Sequence, residues 1–253
     1  MVRPITDKRQ VWSTASPGIE FSGSAAIGGT QIFDHLALLI PAAKWTCLLG
    51  PSGVGKTTLL RLLARLNKDI VHQGQIKASD GLPLDGRIAL MAQSDNLMPW
   101  LNVIDNVMLG SRLRGTAVDP DRAEDLIKQV GLASHRLKKP NALSGGQRQR
   151  VALARTLMED RGIVLLDEPF SALDARTRAE MQELAARLFA GKTVALITHD
   201  PSEAARLGEL IYVMSGNGLH QVTPPETPVI RPYDSPDVLA CQGRLLRQLR
   251  ELP

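Results

Sequence analysis

A glycine-rich run at residues 50–57, GPSGVGKT, constrains this chain more than any other part of its sequence. It follows a short apolar run from Trp45 to Leu49, which is typical of a buried β-strand. Backbone amides in a strand–turn–helix unit of this kind can surround phosphate oxygens, and the helix N-terminus adds partial positive charge. Leucines after the run recur at helical spacing and predict a buried stripe on a helix that begins near Lys56: Leu59, Leu62, Leu63 and Leu66. The sequence therefore predicts a phosphate-binding loop.

The residues of this loop are the first candidates for binding a nucleotide. In such loops a lysine reaches the β- and γ-phosphates, and the hydroxyl of the next residue ligates Mg²⁺. These roles fall to Lys56 and Thr57. The candidate phosphate-binding residues are Gly50, Pro51, Ser52, Gly53, Val54, Gly55, Lys56, Thr57 and Thr58.

Two adjacent carboxylates supply the second half of a nucleotide site. Asp167 and Glu168 follow the apolar run 163–166, which has the composition of a fully buried strand. Because side chains alternate along a strand, the two carboxylates face different directions, so that one can bind Mg²⁺ while the other faces an attacking water. Together with the loop, they fit many proteins of the P-loop NTPase class, which includes kinases, GTPases and recombinases.

The order of strand-like and helical patterns predicts an α/β fold. Strand-like runs recur at 87–91, 162–166, 193–197 and 210–214, with helical stretches between several of them, which favours a largely parallel sheet. The stretch 93–157 shows helical patterns and no strand pattern, so it is interpreted as a helical insertion. These helical patterns cover residues 121–130 and 147–158.

The two ends of the chain differ from this core. Residues 1–18 are polar and lack sustained periodicity, which is typical of an extension. Prolines from Pro224 to Pro236 indicate an irregular connector, and a terminal helix follows. We expect this helix to pack on the core of its own chain rather than on a dimer partner, through the face that carries Val238, Gln242, Leu245, Leu249 and Leu252.

Composition excludes several functional classes. The net charge is only +4 and aromatic residues make up 4% of the chain, so no basic stripe with interleaved stacking residues indicates a nucleic-acid partner. Cys47 and Cys241 are too few for a disulfide framework or a zinc site. The longest apolar stretch, Leu36 to Ala43, falls far short of the roughly 20 residues of a membrane helix. Any membrane role must therefore come through a partner.

A second glycine-rich run separates this chain from other nucleotide-binding proteins. Residues 143–147 read LSGGQ and stand just before the helical pattern 147–158. A serine and two glycines at a helix N-terminus make a second anion site. Since the first loop already holds the phosphates of one nucleotide, this second site must face a nucleotide bound to another chain.

LSGGQ followed by Arg148, Gln149 and Arg150 resembles the signature motif of ABC-transporter ATPases. Gln93 is similar to the Q-loop glutamine of that family, residues 171–174 to the D-loop and His199 to the switch histidine. The resemblance covers roughly residues 30–215. It implies a P-loop NTPase fold with a RecA-like core, an N-terminal antiparallel β region and an inserted helical subdomain. The expected units are a 1–18 extension, a core of 19–92 plus 158–223, a helical subdomain of 93–157 and a 224–253 connector and helix.

The resemblance also implies a mechanism and its residues. Two copies close around two ATP molecules, and each ATP is held between the phosphate-binding loop of one copy and the signature motif of the other. The catalytic candidates are Glu168, which polarises the attacking water, His199, which contacts the γ-phosphate, and Gln93, which senses the γ-phosphate and Mg²⁺. The implied metal ligands are Thr57, Gln93 and Asp167. The implied nucleotide contacts from the second copy are Ser144, Gly145, Gly146, Gln147 and Asp174.

Recognition of the base departs from the family pattern. Family members usually stack an aromatic ring on adenine, whereas Ile27 stands at the corresponding place in this sequence. Ile27 could supply apolar contact alone, or Phe21 or Trp12 could take the role, and discrimination between ATP and GTP could be loose. The sequence also leaves open whether Arg148 and Arg150 are surface residues or interface residues.

The segment from Leu97 to Val107 suggests a subgroup. It resembles the LLPWLTVxxNV segment of importer ATPases for nitrate, sulfonate and taurine, a group that includes transporters of pyrimidine precursors. Some of its apolar residues must belong to the core of the insertion. The resemblance implies two copies of this chain, separate membrane permease subunits and a solute-binding protein, with the ATPase peripheral on the cytoplasmic membrane face.

Two other interpretations are weaker. A non-transport ABC ATPase of DNA repair or translation would need long coiled-coil insertions or two tandem cassettes, and the sequence shows neither. The LSGGQ run argues against a P-loop kinase or a GTPase.

Overall fold

The computed structural model describes residues 16–66 and 68–251. The strands are β1 (Ile19–Ile27), β2 (Thr30–Ile40), β3 (Trp45–Leu49), β4 (Ile70–Ala78), β5 (Ile88–Met91), β6 (Ile163–Asp167), β7 (Thr193–Ile197), β8 (Leu210–Ser215) and β9 (Gly218–Val222). The helices are α1 (Lys56–Leu63), α2 (Val103–Val107), α3 (Leu109–Arg114), α4 (Pro120–Gln129), α5 (Gly145–Met158), α6 (Ala175–Leu188), α7 (Pro201–Leu207) and α8 (Pro236–Glu251). No helix in these two ranges has both the length and the apolar character required to cross a bilayer.

The larger sheet has the strand order β5-β6-β7-β3-β8-β9. Its first five strands run parallel and β9 pairs antiparallel with β8. Every residue of β3 and β6 is buried, as expected for parallel strands covered on both faces. The predicted α/β core is thus confirmed, and it brings the carboxyl ends of β5, β6, β7 and β3 to one edge, where open α/β sheets bind ligands.

The smaller sheet confirms the expected antiparallel region near the N-terminus. Its strand order is β2-β1-β4, and both neighbours of β1 are antiparallel to it. Phe21 of β1 meets Phe33 of β2 edge to face, with ring centroids 5.9 Å apart. The apolar face of this sheet packs on α1 through a shared cluster that includes Leu36, Leu59 and Leu62.

Helix α1 begins at Lys56 as predicted but ends earlier than its leucine stripe suggests. Leu66 is 58% exposed and lies beyond the helix. Arg65 adopts a left-handed φ of 56°, and the Leu66 amide donates back to the Arg61 carbonyl at 2.8 Å. This hydrogen bond closes the helix in a Schellman-type turn, so the prediction that Leu66 belongs to the buried stripe is wrong.

The chain between β5 and β6 is helical, as the sequence indicates. Helices α2 to α5 occupy it, and residues 92–162 contain no strand. These helices share a core in which Val107, Ile127 and Val151 are buried. Helix α5 starts at Gly145, two residues before the predicted start. The division of the chain into the four expected units stays a prediction.

The proline-rich connector is held against the core by one buried arginine. The Arg231 guanidinium donates to the carbonyls of Ala205, Gly208, Pro225 and Thr227 at 2.7–3.0 Å. Burial lowers the pKa of Arg231, and these four acceptors replace its lost hydration.

Helix α8 packs on the core of its own chain, as expected. It lies against α7 and β8, and Val238, Cys241 and Leu245 are buried. The sequence pattern places Pro236 in the connector, but it is the first residue of α8. Proline is favoured there because the amide it lacks would have no helical acceptor. Leu252 and residues 1–15, including Trp12, lie outside the described residues.

Replacing Leu245 with alanine should destabilise the protein by about 2–5 kcal/mol, because the side chain is 0% exposed and its loss leaves a cavity. Leu246→Ala is the matched control: that side chain is 44% exposed, and we expect a change within about 0.5 kcal/mol. Urea unfolding followed by circular dichroism measures both. Equal losses for the two variants would contradict this packing of α8.

Candidate nucleotide-binding and catalytic site

The phosphate-binding loop joins β3 to α1 and depends on glycine at two positions. Gly50 has a φ of 156°, and a Cβ there would lie 2.4 Å from the Met214 carbonyl oxygen. Gly55 has a φ of 105°, and a Cβ there would lie 2.7 Å from Ile32. Side chains at either position would push the loop away from β8 and β2. The glycines therefore let the loop fold closely against the sheets and place the N-terminus of α1 at its end.

Lys56 is the buried cation of this loop. Its Nζ donates to the carbonyl oxygens of Gly50 and Pro51, both at 2.8 Å. Burial lowers the pKa of Lys56, while the nearby charges of Glu168 and Asp167 oppose that shift. The ammonium group is thus held across the loop by two carbonyl oxygens, and its positive charge would attract an anionic phosphate.

The remaining loop residues differ in exposure. Pro51, Ser52 and Gly53 are exposed, whereas Val54, Thr57 and Thr58 are half-buried. The exposed part of the loop is therefore accessible to a ligand, and the half-buried part is packed against the fold.

Asp167 and Glu168 face different partners, as strand alternation predicts. The Thr57 hydroxyl donates to Asp167 Oδ1 at 3.1 Å. The two oxygens meet beside the loop, and hard oxygen donors of this kind suit Mg²⁺, which usually takes one or two protein ligands and completes its shell with phosphate and water. Burial raises the pKa of Asp167, and the neighbouring Glu168 charge raises it further, so a bound cation would favour the ionised form.

Glu168 contacts the two other catalytic candidates. The Gln93 amide nitrogen donates to Glu168 Oε2 at 3.2 Å, and His199 Nδ1 lies 3.0 Å from the same oxygen. Gln93, Glu168 and His199 follow three neighbouring strands, β5, β6 and β7. Glu168 also adopts a left-handed φ of 46°, an uncommon conformation for a non-glycine residue that is found often at active sites.

The arrangement of Gln93 differs from one expectation. Its amide nitrogen contacts Glu168, and it makes no contact with Thr57 or Asp167 among the hydrogen bonds of the described residues. The structure thus places Gln93 with the catalytic candidates, and its role as a metal ligand stays a prediction.

The signature residues form a helix N-terminus with reciprocal capping. Ser144 is the N-cap of α5: its hydroxyl accepts from the Gln147 amide at 3.2 Å, and the Gln147 side chain accepts from the Ser144 amide at 2.9 Å. This capping box makes Gln147 the third helical residue, which explains why α5 begins at Gly145. Gly146 packs on α6, since a Cβ there would lie 2.6 Å from Thr177.

Asp174 lies with the signature residues. It is the N-cap of α6, and its carboxylate accepts a hydrogen bond from the Thr177 amide. This hydrogen bond lowers the pKa of Asp174. A cavity of about 420 Å³ is lined by Ser144, Gly145, Gly146, Gln147 and Asp174 together with residues of α6 and the loop after α4. None of the described residues that line this cavity comes from the phosphate-binding loop or from the Glu168 cluster. One chain therefore separates the candidate residues into two groups.

The base-binding expectation is corrected in part. Phe21 is 2% exposed and packed against Phe33, so it has no free ring to offer a nucleotide. Ile27 ends β1 and is exposed. Of the two candidates within the described residues, only Ile27 presents an apolar side chain to solvent.

Sequence reasoning missed Asp95 and Arg155, and it left the role of Arg148 open. Arg148 Nε contacts Asp95 Oδ2 at 2.9 Å, and Arg155 donates to the Asp95 carbonyl at 2.6 Å. The only sequence signal for Asp95 is its place two residues after Gln93.

Comparison with known proteins identifies the family. The family model for ABC transporters matches residues 33–171. An ABC transporter ATP-binding protein of Haemophilus influenzae is 43% identical over 233 residues, which cover 89% of this chain and 95% of that protein. The chain belongs to the ABC transporter family. As a member of its ATP-binding proteins, it is an ABC ATPase.

Other relatives of the ABC ATPase are named as components of importers. An aliphatic sulfonates import ATP-binding protein of Rhodococcus jostii is 42% identical over 75% of this chain and 76% of that protein. Another, from Pseudomonas aeruginosa, is 39% identical over 89% of this chain and 82% of that protein.

A solved structure shares the fold. The ATP-binding cassette MJ0796, described as a dimeric post-hydrolysis state bound to ADP and Pi, has a TM-score of 0.69 and 29% identity, covering 81% of this chain and 98% of that chain. A second dimeric structure of MJ0796, described as a bacterial ABC transporter cassette, also has a TM-score of 0.69, at 28% identity over the same shares of the two chains. These similarities agree with the α/β fold described above.

Replacing Asp167 with asparagine should stabilise the nucleotide-free ABC ATPase. Because burial raises the pKa of Asp167 in the folded state, its ionisation costs folding free energy as the pH rises above the unfolded-state pKa, and at pH 7 that cost is present. Asparagine keeps the side-chain size and removes the charge. We expect a higher thermal midpoint without ligand and a smaller further increase with Mg²⁺ and ATP than in the wild type, measured by thermal unfolding.

Asp174→Asn is the matched control, since the pKa of Asp174 is lowered and its ionised form is favoured in the fold. Asparagine also caps helices well, so its midpoint should not rise. A fall in midpoint for Asp167→Asn, or a rise for Asp174→Asn, would contradict this assignment of the two carboxylates.

Proposed function

We propose that this ABC ATPase works as a head-to-tail dimer that encloses two ATP molecules. Each ATP would be bound by the phosphate-binding loop of one copy and by the signature motif and Asp174 of the other. The separation of the two groups of residues within one chain supports this arrangement. A helix N-terminus with a serine cap and small residues is suited to phosphate, yet in a single chain it lines its own cavity, away from Lys56.

In the proposed mechanism Glu168 polarises the attacking water. Its carboxylate follows a buried strand and is oriented by Gln93 and His199 through one oxygen. His199 is more than half exposed, so it can also reach the γ-phosphate of a bound nucleotide. Thr57 and Asp167 would hold Mg²⁺, which neutralises phosphate charge when bound.

The segment 97–107 supports a membrane partner. Leu97, Val103 and Val107 are buried in the helical core, whereas Trp100 is 67% exposed. The buried Asn106 side chain holds the intervening turn. Its Nδ2 donates to the carbonyls of Met98, Leu101 and Asn102, and its Oδ1 accepts from the Met98 backbone amide. A large exposed aromatic side chain on a turn that is held by hydrogen bonds is suited to a protein–protein interface. We propose that this turn docks a membrane permease at the cytoplasmic face.

The names of the relatives support an importer in the nitrate, sulfonate and taurine group. Relatives from Rhodococcus jostii and Pseudomonas aeruginosa are named for import of aliphatic sulfonates. We propose that this chain energises uptake of a small solute of that group or of a pyrimidine precursor. The permease and a solute-binding protein would select the solute.

Complementation between two inactive variants tests the shared sites. Lys56→Ala removes the cation of one half-site and Ser144→Arg blocks the other half-site. Each pure variant should hydrolyse ATP at about 1% of the wild-type rate or less, as expected when a group that contacts transferring phosphate is lost. An equimolar mixture should regain activity, because a mixed dimer contains one site built from two intact halves.

The mixture of Lys56→Ala with Lys56→Ala,Ser144→Arg serves as the control, since neither of its possible sites is intact. Normal hydrolysis by pure Ser144→Arg, or a mixture no more active than its components, would rule out sites shared between two copies.

Trp100→Ala tests the permease proposal. We expect a permease encoded by a neighbouring gene to retain about tenfold less of this variant than of the wild type, or less still, because aromatic side chains buried in an interface often dominate its affinity. Leu246→Ala, an exposed change on α8, should bind as the wild type does. Pull-down in detergent measures retention, and stimulation of ATPase activity by alkanesulfonate, taurine, nitrate or a pyrimidine precursor in the full complex identifies the solute class. Equal retention of both variants would contradict docking at Trp100.

A further inference from the structure

The segment after Gln93 is fastened to helix α5 by two arginines. Arg148 Nε donates to Asp95 Oδ2 at 2.9 Å. Two helical turns further along the same face, Arg155 donates to the carbonyl oxygens of Asp95 and Asn96 at 2.6 and 2.8 Å. Burial lowers the pKa of Arg155, so these two carbonyls are acceptors for a guanidinium partly removed from water.

The same Arg148 side chain also reaches the start of the signature motif. Its Nη1 donates to the Leu143 carbonyl at 2.9 Å, and Leu143 directly precedes the N-cap Ser144. One guanidinium thus bridges the Asp95 carboxylate and the peptide that leads into the N-terminus of α5.

The segment that Arg148 holds is internally braced. Asp95 Oδ1 accepts from the Leu97 amide at 3.2 Å, and Asn96 adopts a left-handed φ of 47° with its side chain bonded to Ser94. These local hydrogen bonds stabilise the turn. Gln93, which contacts Glu168, stands at its beginning.

These contacts form a continuous path within one chain. It runs from the Glu168 carboxylate through Gln93 to the turn at Asp95, and from there through Arg148 to Leu143 and Ser144. Its two ends lie in the two groups of candidate residues that the chain separates. In a head-to-tail dimer, they would face two different nucleotides.

We propose that Asp95 and Arg148 are positioning residues that link the two ATP sites. This inference rests on the proposed dimer. When a nucleotide displaces Gln93 at one site, the ion pair transmits the movement to the α5 N-terminus that completes the other site. Hydrolysis at the two sites is therefore interdependent, and the ion pair carries that dependence.

Asp95→Asn is the sharpest test of this link. Asparagine keeps the side-chain oxygen that accepts from Leu97 and removes the charge that pairs with Arg148. The measurement is ATP hydrolysis by the ATPase as a function of ATP concentration. We expect the Hill coefficient to fall from above 1 in the wild type to about 1, with a loss of maximal rate of roughly 2- to 30-fold, the range that coupling networks usually carry.

Asp105→Asn is the matched control. Asp105 pairs with Arg112 at 2.7 Å and has almost the same side-chain exposure, 27% against 28% for Asp95. It lies on α2, outside the path. Its Hill coefficient should equal that of the wild type, which separates the proposed link from a general effect of losing a surface ion pair.

A double-mutant cycle adds a second measurement. If Asp95 and Arg148 act through each other, Asp95→Asn combined with Arg148→Gln should change the Hill coefficient no more than either change alone. Additive losses, or an Asp95→Asn variant as cooperative as the wild type, would overturn the link.

ATP-dependent dimerisation of Glu168→Gln on gel filtration distinguishes failure of the link from failure of the dimer. Failure of this variant to dimerise, together with a wild-type Hill coefficient of 1, would remove the proposed dimer and the link with it. Dimerisation of Glu168→Gln together with a wild-type Hill coefficient of 1 would remove the link alone.

Discussion

The candidate site depends on one carboxylate oxygen, Glu168 Oε2, which Gln93 and His199 both contact. This convergence requires β5, β6 and β7 to be neighbours in parallel, so that the residues after each strand meet at one edge. It also requires the left-handed backbone of Glu168, which redirects the chain at the end of β6. The surrounding sheet must compensate for that uncommon conformation, because an isolated chain would leave it.

The second constraint is the separation of the anion-binding elements. The phosphate-binding loop packs between β2 and β8, whereas the signature helix packs on α6, as the close approaches of Gly55 and Gly146 show. The two elements therefore pack on different parts of the fold. In the proposed dimer a second copy supplies the other half of each site, and nucleotide binding would then favour association because it stabilises the assembled state.

Much of this could be predicted from the sequence, because the relevant signals are local. A glycine-rich turn between an apolar strand and a leucine stripe, and two carboxylates after a buried strand, carry their chemistry within about ten residues of chain. The errors arose where local signals compete. Leu66 fits the helical period, but the turn at Arg65 ends the helix first. Gly145 has low helix propensity, but the capping box of Ser144 and Gln147 makes it the first residue of α5.

Contacts between distant residues were decided by the tertiary structure. The sequence left Phe21 open as a candidate for stacking on the base, whereas the structure buries it against Phe33. Asp95 and Arg148 are 53 positions apart, and nothing in the local pattern of either pairs them.

The sequence by itself determined which chemical groups the chain carries and in what order. Only the tertiary structure decided that Gln93 and His199 share one oxygen of Glu168 and that the signature residues lie apart from Lys56. The physical reason is that motif chemistry is set by neighbouring residues, whereas these contacts are set by strand order and helix packing, which are properties of the whole fold.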